Sequence, residues 1–283
     1  MHPILITSIL LPVFFLAPQD VPPPGSTPPG AGGANQETQP EDARVLQILK
    51  AADEATRALN SANYHAEFRG VGALAGRAPV AEGDVVKLRD AEDPELVMIR
   101  GEGWFFTVNQ ADRGAVDFIA TFNGQKIVRL DPERQRYYES HGGANDGQVL
   151  GGAQNLNMRE FGHPTPFEDE INARVQTLEG QTMVGDVLCN VVYVEYDIDP
   201  AQSARWCFGV EDHLPRRVER IDDDVDGKWG ATVLTVTSLE LNPEVDPAVF
   251  TLEIPEGYQQ GRLGGPVPTS APMGTGSARP GGG

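Results

Sequence analysis

Val187-Leu188-Cys189-Asn190-Val191-Val192-Tyr193-Val194-Glu195-Tyr196 is the stretch that decides the fold. It is rich in β-branched, aromatic and aliphatic residues, which fit a pleated strand better than a helix. In a strand, side chains alternate between faces. Val187, Cys189, Val191 and Tyr193 then share one face, and Leu188, Val192, Val194 and Tyr196 the other. A strand that is apolar on both faces is covered on both. Asp197-Ile198-Asp199-Pro200 supplies turn residues, and Arg205-Trp206-Cys207-Phe208-Gly209 returns as a second strand. A hairpin centred on Ile198 puts Cys189 opposite Cys207, the chain's two cysteines, and predicts a disulfide between them.

Working outward, the helix period appears before the strands. Thr38-Gln39-Pro40-Glu41 has capping-box spacing, and Val45, Ile48, Leu49, Ala52, Ala55 and Leu59 follow on one helical face. From Tyr64 the period becomes two. Strands are expected over residues 64–69, 80–88, 95–100 and 104–109, with Gly101-Glu102-Gly103 dividing the last two. Phe118, Ala120 and Phe122 lead into Asn123-Gly124, a hairpin turn, and a return strand to Leu130. Residues 141–170 break the pattern: a Gly-rich start, then Leu156, Met158, Phe161 and Phe167 among polar residues, with Pro164 and Pro166. This reads as a mobile segment with a short helix. Strands resume at Ala173, with Gly180 a candidate bulge, and continue through the central hairpin to residues 214–221 and 231–241. Helix, meander, insert and second meander make an α+β domain, a large curved antiparallel sheet with an N-terminal helix against it and a helical lid.

Composition narrows the function. The 283 residues carry a formal net charge of -19 and a pI near 4.6. That excludes a basic footprint for nucleic acid, so no nucleic-acid partner is expected. Residues 4–16 form an apolar run too short to span a bilayer, and residues 1–17 read as an export signal. Residues 18–39 and 259–283 are rich in Pro, Gly and Ser and are expected to be disordered, leaving one folded domain over residues 40–258. Export, to the periplasm or outside the cell, suits a disulfide.

Several stretches resemble one family. They are Thr121-Phe122-Asn123-Gly124-Gln125-Lys126-Ile127-Val128-Arg129-Leu130-Asp131-Pro132-Glu133 with Tyr137-Tyr138, Val184-Gly185-Asp186-Val187-Leu188-Cys189, Arg205 through Arg217, and Leu241-Asn242-Pro243-Glu244-Val245-Asp246-Pro247 with Pro255-Glu256-Gly257. Together they are similar to the LolA/LolB-like periplasmic lipoprotein-carrier superfamily. The resemblance implies an incomplete antiparallel barrel with helices closing its mouth over a hydrophobic cavity. It implies a lipid or a lipidated protein as ligand, with an envelope protein partner as the other reading.

Chemistry-bearing motifs are few. Asp222-Asp223-Asp224-Val225-Asp226-Gly227 opens like a calcium loop, but Val233 stands where the bidentate Glu is required, so a hairpin turn is expected. Glu160 and His163 have metal-ligand spacing in a single copy, followed at once by Pro164. There is no nucleophile elbow, zinc pair or phosphate loop, and Cys-x-x-Cys is absent. The expectation is a monomeric, non-enzymatic binding protein without cofactor or metal. Phe118, Phe122, Trp206 and Phe208 are the expected inward-facing cavity residues. Met158 and Phe161 belong to the lid, and Trp104 and Phe106 oppose Phe105. A second expectation is an envelope interaction module whose core is filled by its own side chains.

Overall fold

A computed structural model describes residues 41–107, 114–143, 146–197, 202–222 and 225–262. The expected export signal, the linker and most of the tail lie outside the described residues. Helix α1 (Glu41–Arg57) comes first. Val45, Ile48, Leu49 and Ala52 recur at three- and four-residue steps and are buried in the main core. The helix stops short because the next residues are already committed to the sheet. Asn242 Oδ1 accepts from the backbone N–H of Asn60 at 2.8 Å, and Ser61 Oγ donates to Pro243 O at 2.7 Å.

Twelve strands form one curved, unclosed sheet. The first meander is β1 (Ser61–Gly72), β2 (Val80–Arg89), β3 (Val97–Phe106), β4 (Val116–Phe122), β5 (Ile127–Asp131) and β6 (Arg136–Ser140). The second is β7 (Val175–Val184), β8 (Val187–Glu195), β9 (Ser203–Gly209), β10 (Pro215–Asp222) and β11 (Gly230–Leu241). β11 pairs back onto β1, so the spatial order is β12-β6-β5-β4-β3-β2-β1-β11-β10-β9-β8-β7. All neighbours are antiparallel except β12 (Gln259–Gln260), which lies parallel to β6. That pair carries the chain past the expected domain end at residue 258, with Gly261 N donating to Tyr137 O at 2.7 Å.

Two local expectations are revised. The glycines at 101 and 103 do not divide two strands; β3 runs through them. Gly103 faces Gly83 across the ladder, and a Cβ on either would fall 2.1 Å from a carbonyl oxygen of the other strand. These glycines serve close approach. Asn123-Gly124 is not a two-residue turn. Asn123 Oδ1 accepts from the N–H groups of Gln125 and Lys126, which caps a four-residue loop with Gly124 at φ 89°. The bulge at Gly180 is present, with φ 112° and a register shift after Leu178.

The disulfide is corrected. The β8–β9 register pairs Cys189 with Gly209 and Val191 with Cys207. The cysteines share the outer face of the sheet but sit diagonally, where Cα atoms are about 7–8 Å apart, beyond the reach of a disulfide of about 7 Å. Both are free and buried, in a small cluster with Val184. Burial pushes the Cys207 thiol up to about 11, and raises that of Cys189 as well.

Topology dictates where the segment between the meanders goes. β6 and β7 lie near opposite ends of the sheet order, so residues 141–174 connect one end to the other. They do so along the concave side, as α2 (Asp146–Leu150), α3 (Gly152–Leu156) and α4 (Glu168–Ile171). α2 packs on β5 and β6, α3 on β2 and β3, and α4 on α1. Close seating of α3 requires small residues. A Cβ at Gly101 would come within 2.7 Å of the Ala153 Cβ, and one at Gly152 within 2.3 Å of the Phe118 ring.

Candidate functional site: the insert and the mouth of the half-barrel

The alternation of each strand sends one set of side chains to the concave side. Tyr64 and Ala66 of β1, Val85 of β2, Phe105 of β3, Phe118 and Ala120 of β4, Val192 and Val194 of β8, and Trp206 and Phe208 of β9 all join the main core. Phe118 (2% exposed), Trp206 and Phe208 (both 0%) are buried there, and Phe122 is half-buried against the same core. Trp104 and Phe106 are on the other face from Phe105, as the alternation requires.

The apolar residues of the expected lid pack into the main core on the concave side. Leu156, Met158 and Phe167 are 0% exposed and Phe161 is 2% exposed. Phe167 meets Trp206 edge-on at 5.2 Å and Phe208 at 5.0 Å, while Trp206 and Phe208 stack at 5.8 Å. Phe161 meets the Tyr64 ring at 5.5 Å. Such edge and offset contacts add about 0.5–1.5 kcal/mol each beyond area burial.

Polar ties near Phe161 and Phe167 fasten the insert to the sheet and to α1. Tyr64 Oη donates to Leu156 O at 3.2 Å and accepts from Met158 N–H at 3.0 Å. Lys87 Nζ donates to Asn157 Oδ1 at 3.0 Å and to Met158 O at 2.9 Å. Asp53 Oδ1 of α1 accepts from Phe167 N–H at 3.3 Å. Lys87 is only 5% exposed, and burial pulls its pKa down to about 7, opposed by the nearby Glu160 and reinforced by Arg89 and Arg159. A neutral amine has two N–H groups, and both find acceptors here. Arg129, whose guanidinium lies 4.4 Å from the Tyr138 ring centroid, sits beneath Gly151 at the α2–α3 joint.

At the mouth, the insert and the β8–β9 end enclose a polar pocket of about 460 Å³. It is lined by Arg159, Glu160, His163, Asp169, Glu170, Tyr196, Asp197 and Arg220, among others. Glu160 Oε1 accepts from Arg220 Nη2 at 3.0 Å, and the Arg220 guanidinium lies 5.5 Å from the Trp206 ring centroid. Glu170 Oε1 accepts from Tyr196 Oη at 2.6 Å; burial raises the pKa of both groups. His163 Nδ1 accepts from Thr165 N–H at 3.2 Å, so the Glu160–His163 spacing is used for local structure. No group of three or more metal-ligating side chains occurs among the described residues. A larger groove, about 680 Å³, lies on the convex side beneath Pro243 and Val249, away from the apolar interior.

Sequence reading missed Tyr64, Lys87, Glu170, Tyr196 and Arg220 as parts of one site. One signal was available for Lys87. It shares strand parity with Ala81, Gly83 and Val85, so it puts an amine on the buried face of β2.

No protein-family model matches the chain, and no curated protein matches it. Among solved structures, LprF from Mycobacterium bovis is 12% identical, covers 77% of this chain and 98% of its own, and has a TM-score of 0.47. The lipoprotein LppX from Mycobacterium tuberculosis is 17% identical, with coverage of 72% and 98% and a TM-score of 0.43. The MucA/MucB complex from Pseudomonas aeruginosa is 10% identical, with coverage of 74% and 61% and a TM-score of 0.42.

Proposed function

We propose that the chain is an exported binding protein that takes an acyl chain, or a similar apolar ligand, into the half-barrel in place of its own insert. The observation that carries this reading is the insert itself. Its helices are four or five residues long, too short to persist alone, yet they hold the apolar residues that seal the concave side. Magnitudes decide whether exchange is feasible. Burying Leu156, Met158, Phe161 and Phe167 contributes about 1.5–3 kcal/mol each, or roughly 6–12 kcal/mol together. An acyl chain of about sixteen carbons contributes about 12 kcal/mol at ~0.8 kcal/mol per methylene, and one of about eight carbons about 6 kcal/mol. A sixteen-carbon chain therefore matches the upper end of what the insert gives up, and an eight-carbon chain only the lower end. The role supported is lipid or lipoprotein trafficking in the cell envelope, with the 4–16 apolar run as export signal.

A second reading keeps the insert in place permanently and makes the domain an envelope interaction module. Full burial of Met158, Phe161 and Phe167 favours it. Native mass spectrometry of protein purified from the envelope, followed by lipid extraction, separates the two. A retained lipid of long-chain mass supports the carrier; apo protein alone, with no uptake of added palmitate, supports the module.

A further inference from the structure

Moving the insert aside would uncover polar groups of one kind. Lys87 and Arg89 share the concave face of β2 with Val85. Phe161 and Gly162 of the insert cover them, leaving a space of about 10 Å³ bordered by both, room for about one water. Gly162 lets the insert close down there: its φ is 126°, and a Cβ on it would fall 2.7 Å from a methyl of Val97. Under this cover Lys87 donates to Asn157 and Met158, uncharged acceptors of the insert. Arg89 Nη1 donates to Pro94 O at 3.1 Å, while Arg89 Nε and Nη2 are buried without a partner.

Arg129 Nε of β5 is likewise a buried, unpaired donor on this face, and so is Trp206 Nε1 of β9, turned toward the Tyr196 hydroxyl. Buried polar atoms are normally paired, so these donors mark a wall that lacks acceptors. The carboxylates near it leave with the insert. Glu160, the acidic group that Lys87 senses, and Glu170 both belong to the insert, as do Arg159 and His163. Arg220 then loses its Glu160 partner and stays on the wall. Of the carboxylates that stay behind, Asp131 is paired with Arg134 and Asp53 with Arg57. Asp90 Oδ1 accepts from the N–H groups of Glu92 and Asp93 in its own loop. The uncovered wall is therefore cationic, in a chain whose net charge is -19.

We propose that, once the insert is displaced, Lys87 and Arg89 bind the anionic head, a carboxylate or phosphate, of the amphiphile whose chain fills the half-barrel. This site rests on the carrier reading above. Nε and Nη2 form the side-on edge of the Arg89 guanidinium, which holds two oxygens of one anion, and Lys87 adds a point charge two residues along the same face.

Calorimetric titration of the full chain with dodecanoate, dodecyl phosphate, dodecanol and dodecylammonium, all below their micellar concentrations, reads the head. The better of the two anions should bind about ten-fold or more tighter than the alcohol, with the ammonium weakest. The chain's net charge works against that order, so an anion preference has a local source. Arg89→Gln should bring anion and alcohol to within about two-fold of each other, and Arg89→Lys should keep part of the preference. Dodecanol binding as tightly as both anions, ammonium binding tightest, or an anion preference unchanged in Arg89→Gln overturns the anionic head and leaves the carrier reading standing. Binding of none of the four overturns both. If Arg89→Gln does not fold, NMR of the wild type decides. The Arg89 Nε–H resonance should shift with dodecanoate or dodecyl phosphate and not with dodecanol; an unshifted resonance in the anion-bound protein overturns the site.

Discussion

Tyr64→Phe isolates the tie between the insert and the sheet. The ring remains, and with it the edge contact to Phe161 at 5.5 Å. Only the hydroxyl goes, leaving Leu156 O and Met158 N–H without their partner in a fully buried setting. Each buried backbone group left unpaired costs about 1–3 kcal/mol, so the closed insert should lose about 2–6 kcal/mol. At 1.4 kcal/mol per factor of ten, its opening equilibrium should rise by roughly thirty-fold at the lower end and ten-thousand-fold at the upper. Hydrogen exchange reads this directly. The Phe167 amide, bonded to Asp53 and untouched by the substitution, should exchange faster by that factor. Amides of α1 and β9 should keep their rates. Unchanged exchange at Phe167, or an equal acceleration in α1 and β9, would refute the view that the insert opens as a unit of its own.

Three further outcomes are expected. Lys87 has a folded pKa of about 7 against an ordinary value of 10.5, so the unfolded chain binds more protons between those limits and stability must rise with pH across that window. Denaturant titrations should show greater stability at pH 9.5 than at pH 7, by at most roughly 5 kcal/mol for the full window, and Lys87→Met should flatten the dependence. Non-reduced, denatured protein should yield two titratable thiols, and a reductant should leave the melting temperature unchanged, because Cys189 and Cys207 are free. Phe208→Ala should cost about 3–5 kcal/mol, a fall of roughly 10 °C or more in Tm, and Phe122→Ala clearly less, because Phe208 is fully buried against Trp206 and Phe167 while Phe122 is half-buried.

Elements with a strong local period were legible. The stripe of Val45, Ile48, Leu49 and Ala52 marked α1, and the alternation in 187–196 marked β8 with its two apolar faces. Gly180 announced its bulge. What failed was register and long-range company. The cysteine pairing depended on where the β8–β9 hairpin is centred, and strand composition carries no signal for that. The strands end at Glu195 and resume at Ser203, so a shift of one residue in the centre moved Cys207 from Cys189 to Val191. Glycine in β3 read as punctuation because Gly83 and Ala153, the neighbours that require it, lie far away in the chain. The insert read as a loose lid because its apolar residues lack a period. Its burial follows from the sheet order, which runs β6 and β7 to opposite ends and sends the connection across the concave side. Glu160, Glu170, Tyr196 and Arg220 come from three separate segments, so only folding assembles the pocket.

A long apolar ligand, on the reading proposed above, replaces the insert inside the half-barrel. Hydrogen exchange with and without saturating palmitate tests it most directly. Palmitate binding should strip protection from the amides of residues 152–171 while α1, β8 and β9 stay protected. Palmitate bound with the insert as protected as in its absence would contradict it.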